Sequence, residues 1–189
     1  MKILVTGSDG YIGVMLAQEL IKRGHDVIGF DTGFYRSGWL FNNIARIPET
    51  IAKDTRKITI DDLKGYDAII HLADLSNDPL GQLSPEITYA INHTGTVELA
   101  KKAKKAGISR FIYSSSCSVY GASDEISNEE SPTNPVSAYA ECKVLNEQAL
   151  LKLADATFSP VILRNATCYG LSPRMRFDLA INNLTAVAW

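Results

Sequence analysis

No run of apolar residues in this 189-residue chain is long enough to cross a membrane. Its start, Met1-Lys2-Ile3-Leu4-Val5, enters a turn without the apolar core of a secretion signal. The cytoplasm is the expected compartment, with no membrane partner. A charge imbalance is missing too: 19 basic and 21 acidic residues leave a net charge of -2, so no global field draws the chain to nucleic acid. Cysteine is scarce. Cys117, Cys142 and Cys168 are odd in number and lack paired ligand spacing, which reads as reduced buried thiols and not as a disulfide or zinc site. His25, His71 and His93 fall in separate segments and form no metal pair, so no metal is expected. The lysines at 101, 102, 104 and 105 lie late in a predicted helix and read as a solvated face. No repeat or low-complexity tract is present, and 46% hydrophobic content suits a single buried core.

What is present is an alternation. Short apolar runs at 2–6, 26–30, 68–72, 110–114 and 160–164 are separated by segments of helical period at 12–23, 87–106 and 138–154. Parallel strands joined by crossover helices give this pattern, so the predicted fold is α/β, a Rossmann-type doubly wound sheet of about six strands, counting a weaker one near 50–53. The segment 123–135, rich in Ser, Asn, Glu and Pro, reads as a surface loop.

Directly after the first strand comes Thr6-Gly7-Ser8-Asp9-Gly10-Tyr11-Ile12-Gly13. Gly7 permits a tight turn, Gly10 lets backbone approach a pyrophosphate, and Gly13 lets helix and strand pack closely, while the helix N-terminus faces the anion. Eighteen residues past Gly13, Asp31 closes the second strand, where a carboxylate accepts from ribose hydroxyls and repels a 2′-phosphate. NAD is therefore expected over NADP, with Arg36 near enough in sequence to soften the preference.

Tyr139-Ala140-Glu141-Cys142-Lys143 lies in a helical stretch, so Tyr139 and Lys143 share one face. An adjacent ammonium favours the phenolate and makes the phenol a usable base. Upstream, Ser114-Ser115-Ser116-Cys117 follows a strand, at the sheet edge where open α/β folds place ligands.

Together these segments resemble the extended short-chain dehydrogenase/reductase family, in its NAD-dependent nucleotide-sugar epimerase/dehydratase branch. The likeness includes the glycine turn, Tyr139 to Lys143, Ser114 to Gly121, His71-Leu72-Ala73, Asn92, and Leu163-Arg164 leading to Tyr169-Gly170. It implies Ser116, Tyr139 and Lys143 as catalytic residues, with Lys143 also binding nicotinamide ribose. It implies a cofactor site of Gly7, Asp9, Gly10, Tyr11, Ile12, Gly13, Asp31, Asp54, Thr55, Leu72, Ala73, Asn92, Ser114, Tyr139 and Lys143, and substrate contacts from Ser76, Asn77, Ser116, Asn165 and Asn183. The substrate implied is a nucleotide-diphosphate sugar. The partner implied is a second copy, paired through helices near 85–106 and 137–154.

Two departures stand out. Asp74 occupies a position where members of the family have a small apolar residue, and Leu75 to Pro79 follow it. This stretch reads as turn chemistry, or as Ser76, Asn77 and Asp78 reaching sugar hydroxyls. The family also runs past three hundred residues. The chain is therefore expected to hold an NAD-binding unit at 1–170 and, at 171–189, only the start of a substrate-binding region, the family's C-terminal lobe being largely missing. The function implied is an epimerase, a 4-epimerase acting through a transient keto-sugar. The alternatives are a dehydratase, a reductase, or a non-catalytic dinucleotide-binding module. Cys117-Ser118 stands where the dehydratases carry an acid/base pair, which disfavours dehydration.

Overall fold

The computed structural model describes residues 1–42, 47–76, 81, 83–122, 124 and 126–189. Six strands form one parallel sheet: β1 (Lys2–Thr6), β2 (Asp26–Asp31), β3 (Glu49–Ala52), β4 (Ala68–His71), β5 (Arg110–Ser116) and β6 (Ser159–Asn165), in spatial order β3-β2-β1-β4-β5-β6. This is the doubly wound dinucleotide-binding order, with its switch point between β1 and β4. Register aligns Thr6 with Phe30 and His71, and His71 with Tyr113, so the strands end together along one carboxyl edge.

Alternation along β1 sends Ile3 and Val5 to one face and Leu4 to the other. The first face packs with Ala17 of α1 (Tyr11–Lys22). The second joins Phe30, Ile69 and Phe111 in the larger core, closed by Leu99 of α3 (Thr96–Lys105) and Leu150 of α4 (Ala138–Leu153). The run of lysines differs from the sequence expectation. Lys102 donates to the Ile58 carbonyl and Lys104 to the Leu153 carbonyl, so these two tie α3 to its neighbours instead of lying free in solvent. Among the described residues, no helix is long and apolar enough to cross a membrane.

The expected unbroken helix over 87–106 is also modified. A short α2 (Pro85–Thr88) runs into a π-helical stretch, Tyr89–Gly95, before α3. A widened turn frees carbonyls from the i→i+4 ladder. Here the Asn92 carbonyl accepts from Thr96 Oγ1 at 2.7 Å and from Asn146 Nδ2 at 2.6 Å. The fully buried Asn92 side chain is thereby aimed at Leu75, accepting from its N–H at 2.8 Å and donating to its carbonyl at 3.0 Å.

Candidate active site

A cleft of about 720 Å³ runs along the carboxyl edge of the sheet. Its β2–β3 end carries Asp31, Asp54 and Thr55, its middle the glycine turn with Leu72 and Ala73, and its β5–β6 end Ser114, Ser116, Tyr139, Lys143 and Asn165. Two residues from the β5 edge and two from α4 thus meet a turn more than a hundred residues away in sequence.

The middle is built for backbone to face a ligand. Gly7 sits at φ 73°, and a side chain there would strike the Leu72–Ala73 backbone at 2.9 Å. A Cβ on Gly13 would lie 2.0 Å from the Gly7 carbonyl oxygen, so this glycine is required for the turn to fold over the helix. Gly10 is the N-cap of α1 and supplies no side-chain cap, which leaves the first-turn N–H groups of the helix for an anion. This cradle fits a pyrophosphate. Asp31 accepts from the Asp9 N–H at 3.1 Å and the Gly33 N–H at 2.8 Å, holding its carboxylate at the cleft wall.

Asp9 does not reach that wall. It is 2% exposed beneath the turn, where burial raises its pKa; Arg36, 3.5 Å away, opposes the rise and Asp31 adds to it. Arg36 is therefore engaged with Asp9. Asp54 lines the cleft but gives both carboxylate oxygens to Arg56. Asn92 is buried behind the wall at Leu75, and Asn183 donates to the Phe177 carbonyl outside the cleft. Asn77 and Asp78 lie outside the described residues.

At the other end, Ser116 caps a short helical turn, Cys117–Tyr120, its Oγ accepting from the Ser118 N–H at 3.1 Å. Ser114 accepts from Asn165 Nδ2 at 3.0 Å. Below them Arg164 holds Glu147, which accepts from Ser115 at 2.5 Å, locking β6, α4 and β5 together. Tyr139 is half-buried, with the Lys143 ammonium 5.2 Å from its ring centroid. Lys143 donates to the Ser114 carbonyl and to Asp74 Oδ2, each at 2.5 Å, and Lys143 and Asp74 are both 3% exposed. Burial alone would pull the Lys143 pKa down; the Asp74 carboxylate, with Tyr113 and Tyr139, outweighs that and carries it above the ordinary lysine range.

His71 sits under this end, its Nδ1 2.6 Å from the Thr6 hydroxyl and its Nε2 2.8 Å from that of Thr96. Thr96 gives its proton to Asn92, so Nε2 donates and Nδ1 accepts. Burial holds the imidazole neutral, with its pKa down to about 4. Of the cysteines only Cys142 is buried. Cys117 is half-buried and Cys168 exposed, both in the cleft wall, which corrects the expectation of three buried thiols: the β5 and β6 ends open into the cleft there.

The sequence reading missed the roof. The segment after Gly170 crosses the cleft and is held at several points. Ser172 donates to the Tyr11 carbonyl at 2.8 Å, Tyr11 to the Gly170 carbonyl at 2.7 Å, and Leu40 N–H to the Pro173 carbonyl at 2.8 Å. Arg174 lies over the Tyr35 ring and Arg176 reaches the Ser76 hydroxyl at 3.1 Å. Both arginines line the cleft. Nothing in their local spacing marks them; only the return of the chain does.

Known proteins resemble this chain in sequence and in fold. A UDP-glucose 4-epimerase of Bacillus subtilis (strain 168) is 31% identical over 190 residues, covering 93% of this chain and 55% of its own. A UDP-glucuronic acid 4-epimerase from Bacillus cereus, solved in complex with NAD, superposes with a TM-score of 0.82 at 28% identity, over 97% of this chain and 61% of that one. An NAD-dependent NDP-hexosamine 5,6-dehydratase superposes at 0.85 with 28% identity, over 98% and 60%. The chain spans about half the length of the curated relatives it matches. A family description matches residues 3–187, the whole cleft included, and the chain belongs to the NAD dependent epimerase/dehydratase family.

Proposed function

We propose that this chain is the NAD-binding and proton-transferring part of a nucleotide-sugar epimerase, a 4-epimerase, working in the cytoplasm. The observation that carries the reading is the convergence of Ser116, Tyr139 and Lys143 on the cleft that the glycine turn opens. Residues 1–170 form the cofactor unit and 171–189 begin the substrate-binding region. NAD in this cleft supplies a two-electron acceptor that returns what it takes, so the net reaction is an isomerisation. Gly10 and the first turn of α1 hold its pyrophosphate, and Asp31 the adenosine ribose. Tyr139 takes the proton of a sugar hydroxyl and later restores it. Ser116 holds the same oxygen as it becomes a ketone, while Lys143 stands beside the Tyr139 ring at the same end of the cleft. Arg176, Ser76 and Asn165 line the space a sugar occupies beyond them.

Titration calorimetry with NAD, followed by UDP-, GDP-, CDP- and dTDP-sugars, tests both halves. Binding of NAD and of one nucleotide-sugar is expected. Recovery of the C4 epimer as product supports the reading, and an unsaturated or deoxy-keto product replaces it with dehydration. NAD binding with no sugar bound or turned over identifies a dinucleotide-binding module. Pairing of two copies through α3 and α4 belongs to the same reading and is checked by sedimentation.

A further inference from the structure

The Asp74–Lys143 pair places opposite charges at one end of the cleft where the cradle and the proton relay need only one. Asp74 Oδ2 lies 2.5 Å from the Lys143 ammonium, with both side chains 3% exposed. Its second oxygen is buried and has no hydrogen-bond partner among the described residues, of which Lys143 alone answers the carboxylate. The other titratable groups described around the pair do not disturb this balance. His71 below is neutral, and burial pushes Tyr113 on β5 and Cys142 on α4 upward, away from ionisation. Arg176 from the roof is paired with Asp178, and Tyr139 is the remaining neighbour. Among the described residues the end of the cleft is therefore electrically neutral, and removing the Asp74 charge ends that balance.

We propose that Asp74, by cancelling the charge of Lys143 inside the cleft, sets the preference of the site for the oxidised over the reduced dinucleotide. This rests on the reading of the Tyr139–Lys143 end as the nicotinamide end. The oxidised nicotinamide ring is a cation and the reduced ring is neutral. A lone ammonium repels the first and is indifferent to the second; a compensated pair treats them nearly alike. Charges a few ångströms apart in a partly desolvated cleft interact strongly enough for this to govern relative affinity. Asp74 thus keeps the cofactor in the form from which the proposed isomerisation starts and to which it returns. Asp74 is a positioning and electrostatic residue acting through Lys143.

The test compares dissociation constants for NAD and NADH, with ADP as a probe that reaches only the cradle half. The parent chain, Asp74→Asn, and the double variant Asp74→Asn with Lys143→Met are titrated at mildly acidic pH, where an unpaired Lys143 keeps its proton. Asp74→Asn is expected to raise the ratio Kd(NAD)/Kd(NADH) about tenfold. The double variant, with neither charge, returns to within about twofold of the parent, and ADP affinity holds throughout. A ratio unchanged in a variant that still binds ADP overturns the proposal, as does equal weakening of NAD and NADH. Should Asp74→Asn fail to fold, Asp74→Ser is read by the same ratio. A parent chain that binds neither NAD nor ADP removes the dinucleotide reading and this inference together, whereas an unchanged ratio removes this inference alone.

Discussion

The two halves of the cleft are made of different material. Around the glycine turn the ligand-facing groups are backbone N–H donors, and the residues that matter are those lacking a side chain: Gly7, Gly10 and Gly13. At the β5–β6 end the working groups are side chains on separate elements, Ser116 from the end of β5 and Tyr139 and Lys143 from α4, steadied by Asp74 from beyond β4. At Gly7 and Gly13 the first half has no room for added volume. The second is organised around a buried charge pair. A cradle for an anion common to many ligands needs only fixed dipoles, whereas proton transfer needs groups whose ionisation can be set.

Substitutions can break that contrast. The largest effect is expected at the side-chain end: Tyr139→Phe should lower nucleotide-sugar turnover by roughly 10²- to 10⁴-fold, the loss of a general base, with NAD affinity nearly unchanged by calorimetry. Near-normal turnover would mean that another group takes the proton. At the backbone end, Gly13→Ala forces a methyl group into the Gly7 carbonyl. It should cost about 1–3 kcal/mol of stability by overpacking, and chemical denaturation should show this alongside loss of affinity for NAD and ADP alike. Should Gly13→Ala bind both normally, the halves do not differ as described.

A smaller effect is expected where the halves share a residue type. Asp31→Asn keeps the acceptor and removes the charge, so the preference for NAD over NADP should narrow about tenfold, or 1.4 kcal/mol, in competition titrations. Unequal loss of NAD affinity itself would assign Asp31 a larger share of binding than its charge supplies.

The smallest effect is expected at Asp62, whose partner Lys53 lies at the rim of the cleft. Burial pushes the Asp62 carboxyl up, but hydrogen bonds from Lys53 and from the Thr59 N–H and hydroxyl outweigh it, bringing the pKa from 3.8 down to about 2. Its stabilisation is fully present above pH about 4 and is lost as pH falls through about 2. Asp62→Asn should cost about 1 kcal/mol at neutral pH after allowance for solvent screening. That difference should vanish in acid; thermal melts across pH check it.

Sequence alone determined the strands, their parallel alternation, the glycine turn and the helical pairing of Tyr139 with Lys143. Each is set by interactions within a few residues: apolar period, glycine spacing, a four-residue helical step. Tertiary structure decided what depends on distant segments meeting. It turned Asp74 from a turn residue into the partner of Lys143, 69 positions away. It drew Arg36 to a buried Asp9, placed Asn92 behind the wall by way of a π-helical turn, and brought Arg174 and Arg176 back over the cleft. Charge pairing and burial are properties of what the fold brings within a few ångströms, and linear spacing does not encode that.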